Sequence, residues 1–228
     1  MRSIIFIPDG NRRFAKRNKL ASVLAGHGKG AEVARTLVEA ALEEGVEHVV
    51  FLGATELNLK ERSDEEVAHL YGLFKKYLRE LLEVKRPDRR MYIRGNWGDY
   101  HPDQELANLV AMVESRPIAT TCTQHVTFLF GHDGRRDIAD VADRLAVRGE
   151  RVTVEAIYQK LPTAHIGEVD CIFRSGVEGD PHNSGSLMPF QTGNSQFVFT
   201  SKLWPEVTVD DLRKAIADVR KRPRRLGK

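Results

Sequence analysis

Short apolar runs alternate with amphipathic segments along most of this 228-residue chain. Continuous apolar runs favour strands that are buried on both faces, and the segments between them repeat with the period of a helix. This alternation is typical of an α/β fold with a mostly parallel central sheet flanked by helices. The predicted strands are Ser3–Pro8, His48–Gly53, Met91–Arg94, His125–Phe130, Asp170–Arg174 and Phe197–Thr200.

Helices are predicted in the segments between these strands. The one that begins at Ser63 has Glu66 three residues later, which is the pattern of a capping box. The predicted helices are Gly28–Gly45, Ser63–Val84, Asp103–Ser115, Arg135–Leu145, Thr153–Leu161 and Thr208–Arg220. No repeat, low-complexity segment or linker divides the chain, so we expect one domain over residues 1–228.

Composition restricts the class of protein. Apolar residues make up 41% of the chain, enough for a substantial core, and a net charge of +3 argues neither for nor against a polyanionic partner. Basic residues crowd the C-terminus, namely Lys221, Arg222, Arg224 and Arg225. This tail is either a solvated end or a segment that reaches a phosphate. Because basic and aromatic residues are not interleaved, we expect no nucleic-acid partner.

The two cysteines and the hydropathy pattern indicate in which cellular compartment the protein works. Cys122 and Cys171 lack the spacing of a metal site and are too few for a disulfide framework, so we expect reduced thiols in a cytoplasmic protein. No run of about 18 apolar residues predicts a transmembrane helix, and the N-terminus lacks the features of a signal peptide. We therefore expect no stable insertion into a membrane.

The turn after the first strand is the first candidate site. Asp9, Gly10 and Asn11 follow that strand directly, at the sheet edge where open α/β folds bind ligands. Amide groups at the start of the next helix, together with Arg12 and Arg13, suit phosphate oxygens. Asp9 would repel a bare phosphate, so its position suggests a bridging Mg²⁺. Taken alone, the tripeptide is equally an ordinary turn with Asp9 as a helix cap.

Two further segments invite interpretation. The glycine cluster Ala25–Gly30 is predicted at a helix start, where it would offer a second anion site with His27 donating a hydrogen bond to a phosphate, although a single histidine is more often structural. The stretch Ser175–Asn194 contains four glycines and two prolines with little periodicity. A loop of that length inside a compact domain is usually functional or mobile.

Motifs along nearly the whole chain resemble those of the cis-prenyltransferases, the family of the undecaprenyl diphosphate synthases. The resemblance lies in the number, order and spacing of the motifs. They are Ile4–Lys16, Gly26-His27 with Gly30, Thr55-Glu56 with Asn58, Arg62–Val67, Gly134–Ile138, Asp170–Gly176, Phe199–Pro205 and Arg224–Gly227. Asp133 stands where the family has the first glycine of a Gly-Gly-Arg segment.

The resemblance implies a fold, an activity and a set of roles. Members of the family have a hydrophobic tunnel, form homodimers, and use Mg²⁺ and an allylic diphosphate donor. Asp9 and Asn11 are then the catalytic residues, with Asp9 at the Mg²⁺ and Asn11 assisting departure of pyrophosphate. The implied diphosphate-binding residues are Gly10, Asn11, Arg12, Arg13, His27, Arg174 and Arg225. Retention of Asp9 and Asn11 also argues against a non-catalytic partner subunit of the same fold.

The acceptor side departs from the family pattern. An Arg-x-Ser motif that binds the acceptor's diphosphate is replaced by Glu178–Ser184, and Gln196 stands in place of a glutamate that binds Mg²⁺. An arginine expected shortly before Gly26 is absent as well, with Ser22 and Val23 there. We therefore predict a small-molecule acceptor without a diphosphate, an aromatic ring, in a region with Asn183, Ser184 and Gln196.

The alternative is a short-chain or irregular cis-isoprenyl diphosphate synthase that joins the donor to isopentenyl or dimethylallyl diphosphate. Arg174 and the Arg225–Gly227 tail support it, because they resemble groups that contact isopentenyl diphosphate. They would otherwise serve the donor's pyrophosphate or a dimer interface. Phe128 and Phe130 share one strand face. If that face lines the tunnel, it favours a dimethylallyl or geranyl donor; otherwise both rings are plain core.

Overall fold

Six parallel strands form one sheet at the centre of the described part of the molecule, in the order β3-β4-β2-β1-β5-β6. The structure is a computed structural model and describes residues 1–84 and 86–223. The strands are β1 (Ser3–Ile7), β2 (His48–Thr55), β3 (Arg89–Arg94), β4 (Gln124–His132), β5 (Cys171–Arg174) and β6 (Gln196–Phe199). The predicted α/β class with a parallel sheet is confirmed, and every predicted strand is present within a few residues.

Helices cover both faces of this sheet. They are α1 (Asn11–Arg17), α2 (Val23–Glu43), α3 (Glu56–Glu61), α4 (Asp64–Glu83), α5 (Trp97–Tyr100), α6 (Gln104–Glu114), α7 (Gly134–Val147), α8 (Val154–Lys160), α9 (Pro189–Thr192) and α10 (Val209–Lys221). Short 3-10 turns occupy Ala164–Ile166 and Trp204–Glu206. Within residues 1–84 and 86–223, no helix combines the length and hydrophobicity that a membrane crossing requires.

The start of α2 differs from the prediction. The helix begins at Val23 rather than Gly28, so the glycines of the cluster lie inside its first turns, and the amide groups of Gly28 and Gly30 are not free at a helix start. The glycines serve packing against α1. A Cβ on Gly26 would lie 2.3 Å from the Asn11 carbonyl oxygen, and one on Gly30 would lie 2.2 Å from Asn11 Oδ1. The close approach of two helices overrides the low helix propensity of glycine here.

The strand β1 shows why the apolar runs are continuous. All five of its residues are buried. Ile4 and Phe6 point into a core beneath one set of helices, whereas Ile5 and Ile7 point into a separate cluster on the other face. Because both faces are covered, the sequence has no polar alternation.

The carboxyl ends of the strands meet at one edge of the sheet. Ile7 pairs with Arg174 at the end of β5, so the turn after β1 lies beside that arginine. In open α/β sheets, ligands bind beyond this edge. The parallel register therefore brings the Asp9 turn and the loop after β5 together.

Candidate active site

The backbone of the Asp9 turn is fixed while its carboxylate stays accessible. Gly10 adopts the left-handed region at φ 104°, and a Cβ there would lie 2.8 Å from Leu203 Cδ2, so only glycine fits. Trp204 N and Ser175 Oγ each donate to the Asp9 carbonyl oxygen over 2.9 Å. The Asp9 side chain itself is 40% exposed. The turn thus presents a carboxylate at the edge of the sheet.

Two arginines hold the Asp9 carboxylate. Arg13 Nη2 lies 3.0 Å from Oδ1, and Arg174 Nη2 lies 3.1 Å from Oδ2. Arg13 is one helical turn along α1, and Arg174 is buried at the end of β5. Three residues selected from the sequence therefore meet at one point. Arg225, another arginine of the predicted diphosphate-binding set, lies outside the described residues.

A basic pocket lies on one side of Asp9. It is lined by Pro8, Asp9, Gly10, Asn11, Arg12, Arg13, Lys16, His27 and Arg62. Four of its side chains are cationic, and Asp9 is the carboxylate that lines it in the described part of the chain. Lys16 and Arg62 are not among the site residues predicted from the sequence. Lys16 lies within the first quoted motif, and Arg62 directly precedes the capping Ser63 of α4.

His27 lines the basic pocket and forms a buried hydrogen-bonded pair with Glu66. His27 Nε2 donates to Glu66 Oε1 over 2.8 Å, and burial lowers the pKa of His27. The imidazole is therefore neutral at physiological pH, with its Nε2 proton committed to Glu66. Glu66 also lies 3.4 Å from Arg62 Nε and 4.0 Å from Arg12 Nε. The pair therefore lies beside two cations of the pocket, and the donation from His27 to a phosphate stays a prediction.

Asn11 lies where the basic pocket meets an apolar cavity. Its Nδ2 donates to the Pro8 carbonyl oxygen over 3.3 Å, and its Oδ1 is buried without a partner among the described residues. Asn11, Pro8 and His27 line both spaces. A ligand with an anionic head and an apolar chain would pass this asparagine where the two parts join.

The apolar cavity has a volume of about 210 Å³ and extends between the sheet and helices α2 and α4. Phe128 stacks on Phe51 with ring centroids 5.3 Å apart and on Phe74 with centroids 4.6 Å apart. Phe130 lines the cavity as well. This is the predicted hydrophobic tunnel, and both phenylalanines on the selected strand face contribute to its wall.

A mixed-charge pocket lies on the other side of Asp9. It is lined by Asp9, Arg13, Arg174, Gly176, Val177, Glu178, Asp180 and His182. Among these described residues, two arginines face three carboxylates. Glu178 pairs with Arg13 at 3.3 Å and with Arg17 at 2.9 Å. The cations of this pocket are therefore already engaged by carboxylates.

The residues selected for the acceptor region lie in different places. Asn183 and Ser184 belong to the loop after β5 and follow His182, but they do not line the mixed-charge pocket. Gln196 begins β6 and pairs with Cys171, at the amino end of the sheet. Since Arg174 at the carboxyl end of β5 pairs with Phe199, the structure does not bring Gln196 together with Asp9.

Asp9 is the predicted Mg²⁺ ligand, and its side chain is 40% exposed. The described residues contain no group of three or more histidine, cysteine, aspartate or glutamate side chains arranged to hold a metal ion.

Curated relatives match the chain from end to end. A tritrans,polycis-undecaprenyl-diphosphate synthase (geranylgeranyl-diphosphate specific) of Pyrobaculum aerophilum is 32% identical over 236 residues, which is 99% of this chain and 95% of the relative. An isoprenyl transferase of Thermotoga maritima is 31% identical, covering 98% of this chain and 95% of its own length.

Solved structures share the fold. Lavandulyl diphosphate synthase from Lavandula x intermedia, in complex with dimethylallyl diphosphate, superposes with a TM-score of 0.86 at 22% identity, over 100% of this chain and 98% of that one. A probable undecaprenyl diphosphate synthase from Campylobacter jejuni gives 0.76 at 20% identity, over 100% and 99%. The family described as putative undecaprenyl diphosphate synthase matches residues 7–227. This chain therefore belongs to that family and is a prenyltransferase.

Proposed function

We propose that this enzyme transfers a short prenyl group, dimethylallyl, from an allylic diphosphate to an aromatic small molecule that carries no diphosphate, with release of pyrophosphate. The observation that carries the proposal is the opposite charge balance of two pockets that share Asp9 and Arg13. Four cations face one carboxylate in the basic pocket, whereas two arginines face three carboxylates in the mixed-charge pocket.

The basic pocket suits the donor's diphosphate. Guanidinium groups bind phosphate oxygens through paired charge-assisted hydrogen bonds, and Arg12, Arg13 and Arg62 converge on this space with Lys16. Because the apolar cavity opens from the same place, the prenyl chain would extend past Asn11 into it. Lavandulyl diphosphate synthase, whose fold this chain shares, was solved with dimethylallyl diphosphate.

The size of the apolar cavity favours a short donor. A cavity of about 150 Å³ holds a benzene ring, so about 210 Å³ suits a chain of five to ten carbons. Phe128 projects from β4 and occupies the space next to Gly53: a Cβ on Gly53 would lie 2.5 Å from its ring. Stacked with Phe51 and Phe74, this ring narrows the cavity, which disfavours a long polyprenyl chain.

A Mg²⁺ ion fits at Asp9. This ion binds in many enzymes through one or two carboxylates plus substrate phosphates. Asp9 supplies one accessible carboxylate next to the pocket that suits the diphosphate. When bound, the ion would neutralise negative charge on the departing pyrophosphate.

The residues of the chain account for cleavage of the donor. As the bond between C1 and the diphosphate oxygen breaks, negative charge grows on pyrophosphate and the preorganised cations of the basic pocket stabilise it. The Glu66 carboxylate holds Arg62 in place for this. The aromatic wall of the apolar cavity excludes water from the allylic cation. A nucleophilic carbon of the acceptor, which binds in the mixed-charge pocket, then forms a bond to C1.

The acceptor class is tested by direct competition. The purified protein is incubated with Mg²⁺ and dimethylallyl diphosphate, with isopentenyl diphosphate in one tube and a panel of phenols and indoles in another. Mass spectrometry and a pyrophosphate assay follow the products. A prenylated aromatic compound is the expected result. A chain-elongated diphosphate with no aromatic product would overturn the proposal.

A second candidate is a short-chain or irregular synthase that uses isopentenyl or dimethylallyl diphosphate as acceptor. Arg174 favours it, because this buried arginine lines the mixed-charge pocket and its Nε has no partner among the described residues. The relatives of this chain include isoprenyl diphosphate synthases. Dimethylallyl diphosphate alone, in a third tube, tests the irregular coupling.

The proposal includes a homodimer working in the cytoplasm. The outer strand β6 carries Phe197 and Phe199, whose rings stack with centroids 5.4 Å apart and are 36% and 37% exposed. An edge strand with exposed rings is a suitable surface for a second copy of the chain. Light scattering on the purified protein measures its mass in solution.

A further inference from the structure

We propose that His182 is the general base of the acceptor half-reaction, oriented by Asp180. It would take the proton that the acceptor loses when its new carbon–carbon bond forms. The inference rests on the proposed function, since it requires an acceptor in the mixed-charge pocket. His182 lines that pocket in the loop after β5.

The His182 ring is held by one of its two nitrogens. Nδ1 lies 2.9 Å from the Asp180 carbonyl oxygen and 3.0 Å from Asp180 Oδ2. Both partners are acceptors, so Nδ1 carries the proton and donates it. In the neutral ring, Nε2 then has a free lone pair. An imidazole whose Nδ1–H is fixed by a carboxylate is the arrangement in which histidine commonly acts as a base.

The loop is tied to the residues that hold Asp9. Arg174 Nη1 donates to the His182 carbonyl oxygen over 3.0 Å, while Nη2 of the same guanidinium contacts Asp9. One buried arginine thus joins the His182 backbone to the turn shared by both pockets. The loop that carries the base is therefore tied to the Asp9 turn.

The other candidate bases in the two pockets are engaged. Arg13 and Arg174 hold the Asp9 carboxylate, and Arg13 and Arg17 hold that of Glu178. His27 is buried with its Nε2 proton directed at Glu66. Within the described lining of the mixed-charge pocket, His182 is the group that combines a basic nitrogen with a fixed orientation.

Charged groups of both signs surround His182. Asp9 on the β1 turn, with Glu178 and Asp180 on the histidine's own loop, present negative charge; Arg13 on α1 and Arg174 on β5 present positive charge. Among these described residues the carboxylates outnumber the arginines, which disfavours a second diphosphate as the acceptor group.

The step balances as follows. The bond between donor C1 and the diphosphate oxygen breaks, and its electron pair leaves with pyrophosphate. A π pair of the acceptor ring forms the new bond to C1. The C–H pair at the attacked carbon then returns to the ring, and the proton passes to His182 Nε2 and from there to solvent. Prenylated acceptor, pyrophosphate and a proton are the products.

The test compares His182→Ala with wild type, on whichever acceptor wild type uses. General base catalysis contributes about 100-fold or more, so kcat for product should fall by about that factor, with the KM for dimethylallyl diphosphate nearly unchanged. Added imidazole should restore part of the rate. His101→Gln, at an exposed histidine outside both pockets, is the control.

The outcomes separate this inference from the proposed function. An unchanged rate in His182→Ala, or a loss that imidazole does not restore, would overturn the base assignment while leaving the acceptor class intact. If wild type accepts only a prenyl diphosphate, the aromatic proposal fails, but His182 is still tested, because that coupling also ends in proton loss. If wild type forms no product with any acceptor, both fail together.

Discussion

The basic pocket and the mixed-charge pocket share Asp9 and Arg13 but are built from different kinds of structure. Helix α1 supplies Arg12 and Lys16 to the basic pocket, and Arg62 lies in the short connection between α3 and α4. An irregular loop supplies Glu178, Asp180 and His182 to the other pocket. Loops tolerate substitution better than packed helices. The mixed-charge pocket can thus change its chemistry while the basic pocket stays fixed.

The exposed charges of the mixed-charge pocket contribute little to folding. The Glu178 side chain is 44% exposed and that of Asp180 is 84% exposed. Ion pairs at such positions stabilise a protein by about 0–1 kcal/mol. The carboxylates of this pocket are therefore better explained by the ligand that they admit than by the fold.

The largest expected effect comes from Asp9, the residue that both pockets share. Asp9→Asn should lower kcat with dimethylallyl diphosphate by about 100-fold or more, the usual consequence of removing a group that stabilises a leaving charge. Steady-state pyrophosphate release measures it. Asp218→Asn, on the exposed face of α10, is the matched control and should keep full activity. If Asp9→Asn kept more than about a tenth of the wild-type activity, Asp9 would not be a catalytic residue shared by both pockets.

Arg62 tests the basic pocket alone. Arg62→Ala removes a largely buried cation, and the loss of a charged hydrogen bond costs about 1.5–3 kcal/mol. The KM for the donor should rise by roughly 10-fold to 100-fold, while the KM for the acceptor should change little. Calorimetry with a non-hydrolysable allylic diphosphate gives the affinity directly.

Arg79→Ala provides the comparison for Arg62→Ala, because this arginine is half-exposed on α4 and pairs with Glu105 away from both pockets. Equal changes in donor and acceptor KM in Arg62→Ala would mean that the two pockets do not act separately.

Glu178 tests the mixed-charge pocket. Glu178→Gln keeps the shape of the side chain but releases Arg13 and Arg17 from a carboxylate. An exposed ion pair is worth up to about 1 kcal/mol, so isopentenyl diphosphate should bind or inhibit up to about fivefold more tightly. Inhibition constants against the aromatic acceptor measure this change. An unaltered affinity for isopentenyl diphosphate would show that charge does not select the acceptor.

The fold and the grouping of residues around Asp9 could be predicted because their signals are local. Each strand is a continuous apolar run, and Asp9, Gly10, Asn11 and Arg13 lie within five consecutive residues at a strand end. A turn that precedes a helix brings such neighbours together regardless of the rest of the fold.

The remaining features depend on packing between distant segments. The pair of His27 with Glu66 joins two helices, and nothing in either segment indicates it. The glycines that look like the start of a helix are instead its contact with α1. The position of Gln196 in a family motif places it in the acceptor region, whereas strand register decides which end of the sheet it occupies.

The smallest expected effect concerns pH, and it lies outside both pockets. Burial lowers the pKa of His48 to about 3 and that of His132 to about 4. Both groups bind a proton more readily in the unfolded chain, so each contributes stability that is present above pH 6.5 and declines as the pH falls below it. Burial raises the pKa of Asp137 to about 6, which acts in the opposite direction between pH 6 and 4.

His48→Gln should therefore flatten the dependence of the unfolding free energy on pH. The slope between pH 6.5 and 5 should decrease by up to about 1.4 kcal/mol per pH unit, the contribution of one proton. Urea titrations at several pH values measure it, with His101→Gln as the exposed counterpart. Catalytic differences between the two pockets should persist above pH 6.5, where these buried histidines do not titrate. A slope that is unchanged in His48→Gln would show that this imidazole takes up its proton equally in the folded and unfolded chains.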